Sequence, residues 1–245
     1  MHVRPLSLVG AACCSLAVVL SACSPAATSS TSPPVPSPSR SSAAPSPAKP
    51  SGTAKNAQTS GQLKGALLAP RDVSRGAKVS SPSDDRATYA GASVECDALA
   101  QQLNVERPTG SVVQAEKALS GGEQGPFVDQ ELHAMRNAGD ALALVEGLRR
   151  AADGCSELNV SYDYGGDSAV DITAEALAGV QGRPLSLQFH ATDGDLEGFD
   201  YQQVYVPRGN VVVSLTFVAT SSDEVQSLTK EALAKVQRKL GDRPS

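Results

Sequence analysis

From Ser24 to Ser60 the chain is almost wholly Ser, Pro, Ala and Thr, and Val35 is the only sizeable apolar residue in that stretch. Such a segment cannot bury enough surface to offset the entropy of ordering it, so it cannot belong to a core. It divides the sequence into three: a leader over residues 1–22, a Ser/Pro/Ala-rich tether over 23–60 and one foldable unit over 61–245. At about 180 residues that unit has the size of a single domain with its own core. Pro33-Pro34, Ser37-Pro38 and Pro45-Ser46-Pro47 bias the tether toward extended polyproline conformations. It would span about 35 Å as a random coil and at most about 110 Å fully extended.

The leader reads as an export signal. Arg4 supplies a positive start, Leu6 to Leu20 an apolar stretch too short for a comfortable membrane span, and Leu20-Ser21-Ala22-Cys23 a small-residue cleavage region. Those four residues resemble the lipobox of bacterial lipoproteins, in which the cysteine is acylated and becomes the first residue. A thiol is the nucleophile able to take the diacylglyceryl group, and two or more acyl chains anchor a protein stably where one does not. The expected product is an extracytoplasmic protein held on the outer face of the cytoplasmic membrane through Cys23, with Cys13 and Cys14 removed with the signal.

Charge excludes one class of partner. The formal net charge is −5, and loss of Arg4 makes the mature chain about one unit more negative. Nucleic-acid binders need basic patches that neutralise phosphates, whereas the basic residues here are scattered among a larger number of acids. The expected partners are therefore the membrane, through the lipid, and an envelope or extracellular ligand.

The foldable unit keeps two cysteines, Cys96 and Cys155. In an oxidising compartment an even pair is either one disulfide or two separate buried thiols. Helical periodicity is expected at Leu63–Leu68, from Ser93 until before Pro108, and from an Asn137 cap to Asp153-Gly154. Period two then takes over. Strands are expected at Ser111–Ala118, Phe127–Met135, Leu158–Tyr164, Ala169–Ala174, Leu185–Ala191, Phe199–Val206 and Val211–Phe217, the last two joined as a hairpin through Pro207-Arg208-Gly209-Asn210. Ser221-Ser222-Asp223-Glu224 fits a capping box ahead of a closing helix whose apolar face is Val225, Leu228, Ala232, Val236 and Leu240. These elements make an α+β fold, an antiparallel sheet with helices packed on one face and one disulfide.

Catalytic signatures are absent. There is no Gly-x-Ser-x-Gly elbow, no phosphate-binding Gly-rich loop and no kinase motif. His133 and His190 have no second His or Cys at metal-ligand spacing and read as surface residues of strands, so neither a metal nor a cofactor is expected. Asp193-Gly194-Asp195-Leu196-Glu197-Gly198 begins like a calcium loop, but its twelfth place is Val204 where a bidentate Glu is required, and it reads as a hairpin loop. Tyr162 and Tyr164, with Tyr201 and Tyr205, are the aromatic concentration of a chain without Trp. They are the candidate ligand contacts, although tyrosines on a sheet also pack cross-strand as structure.

The order and spacing of Leu67-Leu68, Cys96-Asp97-Ala98-Leu99, Ala141 to Cys155, Asp195, Val206-Pro207-Arg208-Gly209-Asn210-Val211-Val212-Val213 and a final helix resemble the PknH-type extracellular sensor-domain family. Its members occur on actinobacterial Ser/Thr kinases and as stand-alone surface lipoproteins. The resemblance covers nearly all of the foldable unit. It implies an α+β domain whose cleft receives an unidentified ligand, with no known catalysis, and it implies that Cys96 and Cys155 form a structural bridge. The chain departs from the kinase-borne form in having one cysteine pair where that form has two, and neither a kinase domain nor a membrane-spanning helix. Two further functions compete with a sensor-like binding module: a lipid carrier holding acyl chains in a sheet-lined cavity, and a hydrolase with an unrecognised site.

Overall fold

The computed structural model describes residues 58–81, 87–162 and 166–241. Cys23 and nearly all of the tether lie outside them, as does Tyr164. In chain order the elements are α1 (Ser60–Ala66), α2 (Pro70–Val73), β1 (Lys78–Ser80), β2 (Thr88–Gly91), α3 (Val94–Leu103), β3 (Ser111–Ser120), β4 (Phe127–Met135), α4 (Ala138–Asp153), β5 (Glu157–Ser161), β6 (Asp167–Glu175), β7 (Leu185–Ala191), β8 (Asp200–Arg208), β9 (Val211–Val218) and α5 (Ser222–Leu240). The strands form one antiparallel sheet of nine in the order β1-β3-β4-β9-β8-β7-β6-β5-β2. No helix of the described residues is long and apolar enough to cross a membrane.

The α+β class, the antiparallel sheet and the disulfide are as expected. Each half of the sheet carries its helices on one face, and the covered face changes between the halves. On the first face, Leu185, Leu187 and Phe189 of β7 and Tyr201 of β8 join Leu158, Val160, Val170 and Ile172 in a core with Leu99 of α3 and Ala141, Val145 and Leu148 of α4. On the opposite face, Val128 and Leu132 of β4, Val204 and Val206 of β8 and Leu215 and Phe217 of β9 meet Leu63 of α1 and Val225, Leu228, Ala232 and Val236 of α5. Strands β8 and β9 serve both cores, because alternate residues point to opposite faces.

The caps act as the sequence implies. Asn137 accepts a hydrogen bond from the Asp140 amide at 2.9 Å, and the Ser221 amide donates to Glu224 at 3.0 Å, closing the box at the start of α5. Gly209 opens the two-residue turn between β8 and β9 at φ 57°, a left-handed value that suits glycine. Its neighbour Asn210 exchanges paired amide hydrogen bonds with Gln58, both at 2.9 Å, and also donates to the Met135 carbonyl at 3.1 Å. The first described residue is thereby fastened to the hairpin.

Cys96, in the first turn of α3, is bonded to Cys155, just after α4, across a sequence separation of 59. The bridge joins the two helices that cover the first face. Opening it by Cys96→Ser should lower stability by about 4 kcal/mol, the chain-entropy value for a loop of that length. Denaturant midpoints with and without reductant check this, and the variant should no longer respond to reductant.

A second tie links α2 to α5, where Lys235 Nζ donates to Asp72 Oδ2 at 2.6 Å. Burial raises the Asp72 pKa, but the bonds from Lys235 and from the Ala69 amide outweigh it and hold the carboxyl below its usual value. A depressed carboxylate contributes stability above its unfolded pKa and loses it as the pH falls through the folded one. Asp72→Asn should therefore lower stability at neutral pH and flatten the decline below about pH 4. Thermal melts across that range measure it.

Candidate functional site

Helices α3 and α4 cover the first face over β5–β8, and α4 reaches Met135 and Val212 at one end of β4 and β9, so the rest of that face of β3, β4 and β9 is left without a helix. The step between the bare strands and the helix pair forms a cleft of about 870 Å³, within the size of small-molecule sites, roughly 300–1,000 Å³. Its floor can be read from the strand register as rows running across the sheet. One row is Glu116, Glu131, Ser214, Tyr205 and Leu185. The next is Ala118, Asp129, Thr216, Gln203 and Leu187. Tyr201 and Val218 are partners in a third. The α3 end and the residues after it, including Leu103, Asn104 and Glu106, form the other wall with Tyr89 and Tyr162.

Three of the four tyrosines named from sequence are described, and all three line this cleft. Tyr201 is buried and stacks on Phe189, with ring centroids 4.4 Å apart and planes at 1°. Its hydroxyl donates to the Tyr89 hydroxyl at 3.3 Å. Gln203 Nε2 donates to the same Tyr89 oxygen at 3.3 Å, while Tyr205 donates to Gln203 Oε1 at 2.8 Å. Tyr89, from the edge strand β2, is thus the hub of the network. Sequence reasoning passed over it because a four-residue strand shows no periodicity.

Burial pushes the Tyr89 hydroxyl up to about 12, against the opposing pull of the Tyr201 bond. Burial also raises Tyr201 and Tyr205. These phenols stay neutral at physiological pH, so they offer ring faces and hydrogen bonds rather than a base or a nucleophile.

The wall formed by β3 and β4 is acidic. Glu116 and Glu131 are directly opposed cross-strand partners, and Asp129 lies two residues from Glu131 on the same face. Asp129 is open to solvent, yet the surrounding walls make its ionisation less favourable. That desolvation raises its pKa, and the Glu131 and Glu116 carboxylates raise it further.

His133, expected on the surface, is 4% exposed. Its ring lines the cleft, where Nε2 lies 3.0 Å from Glu131 Oε2. Its Nδ1 is buried without a hydrogen-bond partner among the described residues. His133 is buried because it pairs with Val212 near the end of β4 over which α4 packs, whereas Asp129 farther along the same face stays open to solvent. Asp129, Glu131 and His133 alternate at period two, a signal present in the sequence.

His190 is exposed, with Nδ1 2.6 Å from Asp200 Oδ1, on the face away from the cleft. The calcium-like loop holds its carboxylates on backbone. Asp193 accepts from the Ala169 amide at 2.6 Å and Asp195 from the Gly166 amide at 2.7 Å. Among the described residues no group of three or more His, Cys, Asp or Glu is placed to hold a metal ion.

No family model and no curated protein matches the chain. Among solved structures it is similar to the extracellular domain of PknH from Mycobacterium tuberculosis, with a TM-score of 0.56 and 14% identity over 74% of this chain and 97% of that one. An uncharacterized Mycobacterium smegmatis protein, the Rv0999 ortholog, aligns over 75% of this chain and 98% of its own, with 14% identity and a TM-score of 0.39. The chain therefore has a PknH-like extracellular-domain fold.

Proposed function

We propose that this chain is an extracytoplasmic lipoprotein whose folded part is a ligand-binding, sensor-like module of the cell envelope. The observation that carries the reading is the cleft on the open part of the first face, walled by neutral tyrosines and carboxylates, in a fold similar to the extracellular domain of PknH. Leu20-Ser21-Ala22-Cys23 and the tether support attachment through Cys23 to the outer face of the cytoplasmic membrane. Residues 1–22, 23–60 and 61–245 then act as signal, tether and reader.

The chemistry of the walls favours binding over the two competing functions. Acyl chains would have to desolvate Glu116, Asp129 and Glu131, and burying carboxylates against hydrocarbon is strongly unfavourable. Hydrolysis would need an activated nucleophile, and the cleft tyrosines are shifted away from ionisation.

Two measurements test this. Intact mass of the chain recovered from its host's membrane should show an acylated Cys23 at the mature N-terminus, and an unmodified start beyond Cys23 would remove the anchor. Native mass spectrometry of the same material should show a co-purifying molecule. Thr216→Trp, which fills the floor between Asp129 and Gln203, should reduce its occupancy at least tenfold while leaving the melting transition cooperative. Full occupancy in that variant would place the binding site elsewhere.

A further inference from the structure

We infer that β2 and α3 form a hinged wall of the cleft, attached along β5 and latched to the floor by the Tyr89 hydroxyl, whose swing sets access to that floor. This rests on the reading of the cleft as the binding site and adds how the site is opened and closed.

The two elements are joined as one body. Gly91 brings the end of β2 so close to the start of α3 that a Cβ there would lie 2.8 Å from both the Asp97 amide nitrogen and the Ser93 carbonyl oxygen, which leaves room for no larger residue. At the far end of the helix Asn104 takes both polar groups of the Tyr89 backbone. Its Oδ1 accepts from the Tyr89 amide at 2.8 Å, and its Nδ2 donates to the Tyr89 carbonyl at 2.7 Å. Among the described strands β2 is an edge whose one neighbour is β5, so Asn104 gives it the pair of bonds that a further strand would supply.

The hinge and the latch lie on opposite sides of this body. The β2–β5 ladder runs from the Thr88–Ser161 pair to the Gly91–Leu158 pair, and Cys96 is bonded to Cys155, just before β5 begins. Two attachments to one strand make a hinge line. Across the cleft from it, the end of α3 brings Leu103, Asn104 and Val105 to the cleft, and residues 105–110, neither helix nor strand, lead on to β3. There Tyr89 reaches β8, where Tyr201 and Gln203 hold its hydroxyl, both at 3.3 Å. Little apolar burial keeps the wall shut: of the ten residues of α3 only Cys96, Leu99 and Ala100 are buried, and Val94 is exposed. Elements with few buried apolar contacts are those that open at low cost. Beneath the far end of α3, α4 carries Gly147, an interior helical glycine at which an added Cβ would have Gln102 Oε1 as its nearest described neighbour, at 3.5 Å. Glycine lowers helix stability there and no close contact requires it, whereas a wall that lifts is served by the missing side chain.

Acrylamide quenching of tyrosine fluorescence in the full mature chain tests the swing, because the chain has no Trp and four of its five tyrosines line the cleft. Tyr89→Phe removes the latch and keeps the ring, and losing both hydroxyl bonds should raise the quenching constant about twofold. Gly147→Met fills the space beneath Gln102 with a flexible side chain and should lower the constant below the parent value. Both variants should keep one cooperative melting transition.

The proposal falls if both variants quench as the parent does, or if both shift in the same direction. Should Tyr89→Phe fail to fold, Gly147→Met decides alone: a lowered constant supports the swing, and an unchanged or raised one overturns it. A co-purifying molecule with no quenching response in either variant would keep the binding site and remove the hinge. Opposed responses in a chain that carries no co-purifying molecule would support the hinge and count against the cleft as a binding site.

Discussion

Everything distinctive in this domain follows from how a nine-stranded sheet is covered by too few helices. Helices α3 and α4 protect the first face over one half, and α1 and α5 protect the second face over the other. The strands at the crossover, β8 and β9, are buried from both sides and bind the two cores into one. Beyond Met135 and Val212, which α4 covers, the first-face residues of β3, β4 and β9 are left without a helix, and a floor of strands beside a step of helices is a cleft. The disulfide secures the step, since it ties the start of α3 to the end of α4.

The bare half could have been made safe by small polar side chains, as Ser214 and Thr216 suggest for β9. Strands β3 and β4 instead carry opposed carboxylates, with a buried histidine whose second nitrogen has no partner among the described residues. A buried nitrogen left so is unfavourable for the fold. The tyrosine network beside them is the opposite case: Tyr89, Tyr201, Tyr205 and Gln203 are mutually hydrogen-bonded, and Tyr201 is fixed by stacking on Phe189. A rigid floor whose polar groups satisfy one another suits a preorganised binding site, because little order remains to be lost when a ligand arrives.

Much of this architecture is legible in the sequence, and what is not has identifiable reasons. The amphipathic run ending at Leu240 and the alternation in Leu185–Ala191 and Val211–Val218 are long enough for their periods to declare themselves. Strands β1 and β2, of three and four residues, and the single turn of α2 are too short, so they escape any reading by period. Tyr89 escapes with β2. The covered face cannot be read locally, because each helix shows only that it has an apolar stripe and not which side of the sheet receives it. Tyr162, Tyr201 and Tyr205 were visible as a concentration, whereas their assembly with Glu131 depends on β8 pairing with β9 and β9 with β4. Glu116 meets Glu131 only through the β3–β4 register.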